Sequence, residues 1–205
     1  MLAVAAQLFA ERGYPATSIA DFAAQVGVSK GLLYHYYRDK EHLLFDIADR
    51  YVDRLVQLTE RAGEPHVTAE AVLRQLIERF MIAYEHTDAF HRVLVQDVKY
   101  LSSVHRAQVR AKQRQVIEAF AGAIAAAVPD LAGNKLLKPV TMTLFGMMNW
   151  TFTWLRQDGP VAHTELAPVI ADLFLGGVRR LHAAGVRARP RASASRAGKV
   201  AELAR

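Results

Sequence analysis

The 205 residues suffice for one medium domain, or a small head on a larger body, and with 52% of them apolar a sizeable core can form. There is no cysteine, which excludes a disulfide scaffold, a thiolate zinc site and a cysteine nucleophile, and fits a reducing cytoplasm. The net charge of +6 sits mostly in residues 187–205, with six bases and one acid, whereas residues 1–50 hold five bases and six acids, so the global charge says little about the start of the chain.

The opening MLAVAAQLFAERGY has no basic leader and carries both an acid and a base by Arg12, so it does not read as a secretory signal. The longest uncharged run, Pro139 to Leu155, has 17 residues including four threonines. That falls short of the ~20 apolar residues a membrane helix needs, and it is expected to be a buried helix of a protein with no membrane partner.

The pattern is helical throughout, with no period-2 run. Leu2, Ala5, Ala6, Leu8 and Phe9 form one stripe, ended by Gly13. Ser18 caps a second helix, with Asp21 as capping-box partner and Ile19, Phe22, Ala23 and Val26 inward. Gly27 makes a turn, and Ser29 caps a third helix ending near Tyr37. Asp39 opens a long fourth helix to about Arg61, broken by Gly63 and Pro65. Thr68 opens the fifth, and Asp88 caps a sixth reaching about Leu101. The seventh spans Ser103 to Val128, the eighth residues 134–157, and the ninth Thr164 to about Ala184. The expected architecture is all-α, with a three-helix head over residues 1–45 and a six-helix body over 46–186. A basic, Ala/Ser-rich tail, read as disordered, occupies 187–205.

Helix, short glycine-containing turn, short second helix is the helix-turn-helix plan, in which the second helix enters the major groove of double-stranded DNA. In GVSKGLLYHYY, residues 27–37, Leu33 and Tyr37 are four apart and pack inward. That leaves Ser29, Lys30, Leu32, Tyr34, His35 and Tyr36 outward. Tyrosine hydroxyls and a lysine suit phosphate oxygens, and Leu32 suits a thymine methyl. Gly31 lets the backbone approach closely, and Lys40 places a cation in the first turn of the next helix. An ordinary amphipathic helix with surface tyrosines is the alternative on pattern alone.

Residues 5–44, AAQLFAERGYPATSIADFAAQVGVSKGLLYHYYRDKEHLL, resemble the DNA-binding head of the TetR family of transcriptional repressors in motif order and spacing. The resemblance implies a helix-turn-helix head on a body that binds a small-molecule effector and forms a homodimer on a palindromic operator. By position, it implies that Thr17, Tyr34 and Tyr36 meet phosphates. Lys30 and Gly31 would meet the groove, His35 bases or phosphate, and Lys40 the DNA backbone. Members usually carry a basic stretch before the first helix; here the sequence opens at Leu2, already inside that helix. The expectation is that the start lies upstream or the arm is lacking.

In the body, a dimer interface is expected on the last two helices, through Leu166, Ile170, Leu173, Phe174, Gly177 and Leu181. A ligand pocket is expected between Phe80, Met81, Tyr84, Phe90, Leu94 and Val98 on one wall and Phe145, Met148, Asn149 and Phe152 on the other, although each of these types also suits plain core. Arg106, Arg110 and Arg114, spaced by four with no acid between Asp97 and Glu118, suit an amphipathic anion such as an acyl-coenzyme A thioester, or are simply a solvated face. The segment FGMMNWTFTWLRQDGP and the later ADLFLGGVRRL resemble, more loosely, family members that sense acyl-CoA, fatty-acid or steroid catabolites. A drug-sensing repressor of an efflux gene is the alternative.

No nucleophile elbow, phosphate-binding loop, dinucleotide fingerprint or His-Glu-x-x-His motif occurs, so no catalytic residue is assigned. Neither a cofactor nor a metal is called for, because His86 and His91, with Glu85 and Asp88, do not share one face.

Overall fold

The computed structural model describes residues 1–60, 67–156 and 159–183. Within them the fold is all-helical. Three short helices, α1 (Leu2–Arg12), α2 (Ile19–Val26) and α3 (Lys30–Tyr36), are followed by α4 (Lys40–Glu60), α5 (Ala69–His86) and α6 (Asp88–Gln96). Then come α7 (Ser103–Ala127), α8 (Leu137–Asn149) and α9 (His163–Ala183). The expected break at Gly63 and Pro65 and the tail 187–205 lie outside the described residues.

Local chemistry sets the boundaries. Ser18 and Asp21 close a reciprocal capping box on α2: Asp21 N donates to Ser18 Oγ at 3.1 Å and Ser18 N to Asp21 Oδ2 at 2.8 Å. Gly27 ends α2 in the left-handed region at φ 72°, where a side chain would be strained. Ser29, Thr68 and Ser102 each accept the N–H three residues on, and Asp39 does the same from His42 at 2.8 Å.

Two expected helices are shorter in the structure. The sixth stops at Gln96 and is followed by a 3-10 turn, Val98–Tyr100. Its N-cap position belongs to Thr87, and Asp88 instead pairs with Arg92 at 2.8 Å. The eighth runs only to Asn149, then tightens into the 3-10 turn Trp150–Thr153. The run Trp-Thr-Phe-Thr-Trp is aromatic and β-branched, which disfavours helix. The Thr151 hydroxyl donates back to Met148 O, and Arg92 Nη2 donates to Phe152 O at 3.0 Å, fixing the turn from outside.

In the body, α4 lies along α7, and α5 is held between α7 and α9. Phe80, Phe120, Leu73, Leu76, Ile77, Met81 and Ile124 are fully buried there. Phe80 meets Phe120 edge-on at 4.8 Å. The head rests on the body through α1 against α6, with Tyr14 stacked on Tyr100 at 5.1 Å. No described helix is long and apolar enough to cross a membrane.

Candidate functional site

The α3 surface follows from its burial pattern. Leu33 is fully buried and Tyr37 nearly so, and the Tyr37 hydroxyl donates to Asp46 at 3.0 Å, tying α3 to α4. Ser29, Lys30, Gly31, Leu32, Tyr34, His35 and Tyr36 are all exposed. They present hydroxyls, one cation and one apolar side chain along α3, whose inner side is anchored by Leu33 and Tyr37.

Thr17 and Lys40 stand differently from the expectation. Thr17 is 2% exposed and its hydroxyl donates to Gly13 O at 3.0 Å, so the side chain holds the α1–α2 turn. The Lys40 ammonium donates to Tyr14 O at 2.7 Å and Thr17 O at 2.9 Å, and lies 4.2 Å from the Tyr14 ring centre. It braces the same turn from the start of α4.

Next to Lys40, the head is wired to the body. Glu41 accepts Ser102 N at 2.8 Å and His105 Nδ1 at 2.9 Å, bridging the first turns of α4 and α7. Burial alone would raise the Glu41 carboxyl, but these two donors hold it below its usual range. The His105 ring stacks on Phe45 at 4.0 Å. Two turns further along α7 than His105, Lys112 pairs with Asp49 at 2.7 Å and Asp53 at 2.8 Å on α4.

Beyond that junction α7 forms one wall of a chamber of about 260 Å³, lined by residues of α4, α5, α6, α7 and α8. Of the expected pocket residues, Phe80, Tyr84, Leu94, Phe145 and Asn149 line it. Met81, Phe90, Val98, Met148 and Phe152 do not. A step of about 100° per residue turns Met81 and Met148 off the lined faces into the fully buried core. Val98 belongs to the turn after α6, Phe90 packs on Tyr51, and Phe152 packs on His91 and Arg92. Sequence reasoning missed Val52, Leu55, His91, Val95, Gln113, Val116, Ile117 and Met142. His91 had entered only as a discarded metal ligand; among the described residues no group of three His, Cys, Asp or Glu could hold a metal ion.

The chamber shares Gln113 and Ile117 with a second, larger groove of about 680 Å³ between α7 and the α7–α8 connection. Arg110 and Arg114 line this groove, joined by Lys135 and Lys138; Glu118 is the one acid among the lining residues. Arg106 stands apart, donating to Lys99 O at 3.3 Å. A four-residue step overshoots one helical turn by about 40°, so a row of three arginines drifts off a single face. The lysines approach from across the Gly133–Asn134 turn, a proximity no single-helix spacing reveals.

On α9, Leu173 is 65% exposed, and Val169, Gly177 and Leu181 are exposed with it at four-residue spacing. Trp150 and Trp154, after α8, are also exposed. Ile170 and Phe174 flank that ridge but are buried within this chain, and Leu166 is partly buried. The apolar ridge is therefore Val169, Leu173, Gly177 and Leu181, and the two bulkiest residues of the expected interface belong to the monomer core.

Residues 1–47 match the family described as bacterial regulatory proteins, tetR family, and residues 66–178 match the tetracyclin repressor-like C-terminal domain. The chain is 30% identical to the transcriptional repressor KstR2 of Rhodococcus jostii, over 89% of this chain and 91% of the relative. A TetR-family regulator from Bordetella parapertussis superimposes with a TM-score of 0.82 at 34% identity, covering 88% of this chain and 94% of that one. AibR in complex with isovaleryl coenzyme A and operator DNA shares the fold, with a TM-score of 0.74 at 22% identity over 84% of this chain and 94% of that one. With a helix-turn-helix head wired to a hollow helical body and both halves matched, the chain belongs to the TetR family of bacterial DNA-binding transcriptional regulators, and it is not an enzyme.

Proposed function

We propose that this protein is a cytoplasmic, homodimeric repressor that binds a palindromic operator and is released by an amphipathic anion of the acyl-CoA class. The observation that carries the effector class is the pair of neighbouring cavities, which share Gln113 and Ile117 as lining residues. An apolar chamber for an acyl group opens beside a groove with four cations, Arg110, Arg114, Lys135 and Lys138, suited to a phosphorylated handle. AibR, of the same fold, binds isovaleryl coenzyme A together with operator DNA, which supports the class. Residues 1–45 would read DNA through Ser29, Lys30, Gly31, Leu32, Tyr34, His35 and Tyr36, with Thr17 and Lys40 holding that surface in shape. The body, 46–186, would bind the effector and dimerise through the α9 ridge and the Trp150–Trp154 segment. The ligand must bind the DNA-competent and released forms with different affinity.

Thermal-shift titration of the whole chain tests the effector class. Short acyl-CoA thioesters should stabilise it saturably, and Arg114→Glu or Lys138→Glu should weaken that effect at least about tenfold. Stabilisation by uncharged or cationic apolar compounds, unaffected by charge reversal, would instead favour a drug sensor and leave the groove as solvated surface.

A further inference from the structure

The chamber wall where α5, α6 and the end of α8 meet is polar. Tyr84 is 4% exposed, and its hydroxyl donates to Asn149 Oδ1 at 2.7 Å. His91 is 2% exposed and stacked on the Tyr84 ring at 4.0 Å. Among the described residues its ring nitrogens reach only the Tyr51 hydroxyl and the Asn149 carbonyl, each at 3.4 Å. Well-made hydrogen bonds of this kind fall near 2.7–3.2 Å, so both are slack. Burial holds the His91 pKa down to about 4, so at neutral pH the ring is uncharged, with one donor and one acceptor. The rest of the chamber is largely apolar. A saturated hydrocarbon filling it would exclude water from this wall and return no hydrogen bond, whereas an oxygen placed there would take up the unused capacity of His91 and the Asn149 amide.

Size adds a second limit. A cavity of roughly 150 Å³ accepts benzene. The 260 Å³ chamber therefore suits a ring or a short chain with a substituent and is too small for a long fatty acyl chain.

We propose that the chamber recognises a ring-sized or short acyl group bearing its own carbonyl or hydroxyl oxygen, held by His91 and the Tyr84–Asn149 pair. This rests on the reading of the two neighbouring cavities as the effector site and specifies its chemistry.

Calorimetry on the whole chain compares 5-oxohexanoyl-CoA with hexanoyl-CoA. The oxo compound should bind at least about tenfold tighter, and Tyr84→Phe and His91→Leu should each bring that ratio toward one. A thermal-shift comparison without the handle uses cyclohexanone against methylcyclohexane, and only the ketone should stabilise. Selective stabilisation by the ketone with no binding of either thioester would overturn the coenzyme handle and keep the chamber's specificity. Equal affinities within the thioester pair, a ratio unmoved by both variants, or no selectivity for the ketone would each overturn the inference.

Discussion

A single buried histidine gives the molecule a measurable pH signature. Desolvation lowers His91 from 6.5 to about 4. Between those values the unfolded chain takes up a proton that the folded chain refuses, so stability falls as pH drops from 6.5 toward 4 and is fully present above 6.5. The loss amounts to about 3 kcal/mol. His163, also lowered by burial, acts with the same sign. Urea unfolding at pH 7 and pH 5 should show about 2 kcal/mol of that loss, and His91→Phe should remove most of the difference; an unchanged pH slope in that variant would place its origin elsewhere. Single residues were legible in the sequence where one helix decides them. Leu33 inward and Tyr34 outward follow from a 3.6-residue period and from nothing else. Thr17 and Lys40 were not legible, because their partners are backbone carbonyls brought close by the α1–α2 turn.

Between elements, α4 and α7 are joined at their first turns, and in the proposed function this joint would carry the effect of a ligand on α7 to the head. Glu41 serves two donors of the α7 first turn and sits beside Lys40, which braces the α1–α2 turn. Both Glu41 and His105 are about four-fifths covered, so the pair is less screened than a surface bridge. A double-mutant cycle with Glu41→Gln and His105→Phe, the latter keeping a ring on Phe45, should return a coupling of about 1 kcal/mol in chemical unfolding. Strict additivity would show that the two helices merely pass each other there. Helix starts were readable from Ser18, Ser29 and Thr68 because caps are local chemistry. The early end of α8 was not, since Arg92 from another helix fixes the turn after it. For the same reason the groove was half visible: Arg110 and Arg114 share a helix, while Lys135 arrives from the connection after it and Lys138 from the first turn of α8.

At the scale of the whole molecule, an apolar ridge and two tryptophans lie uncovered on a chain whose head can read only one half-site. Leu173→Glu should give a monomer in sedimentation with little loss of monomer stability, because Leu173 touches water rather than core. A dimer that persists would move the interface off α9. The helical architecture and the DNA-reading head were legible because motif spacing in residues 5–44 is dense, whereas the chamber joins residues from five helices and has no linear signature. In the proposed function the cavities and the DNA surface are two sites on one switch. The most direct measurement is fluorescence anisotropy of a duplex selected by the wild-type protein from a random library, titrated with a short acyl-CoA thioester. The protein should select a palindrome, and the thioester should release it with a loss of affinity of at least about fivefold. A selected duplex whose affinity the thioester leaves untouched, while still binding the protein, would contradict that function.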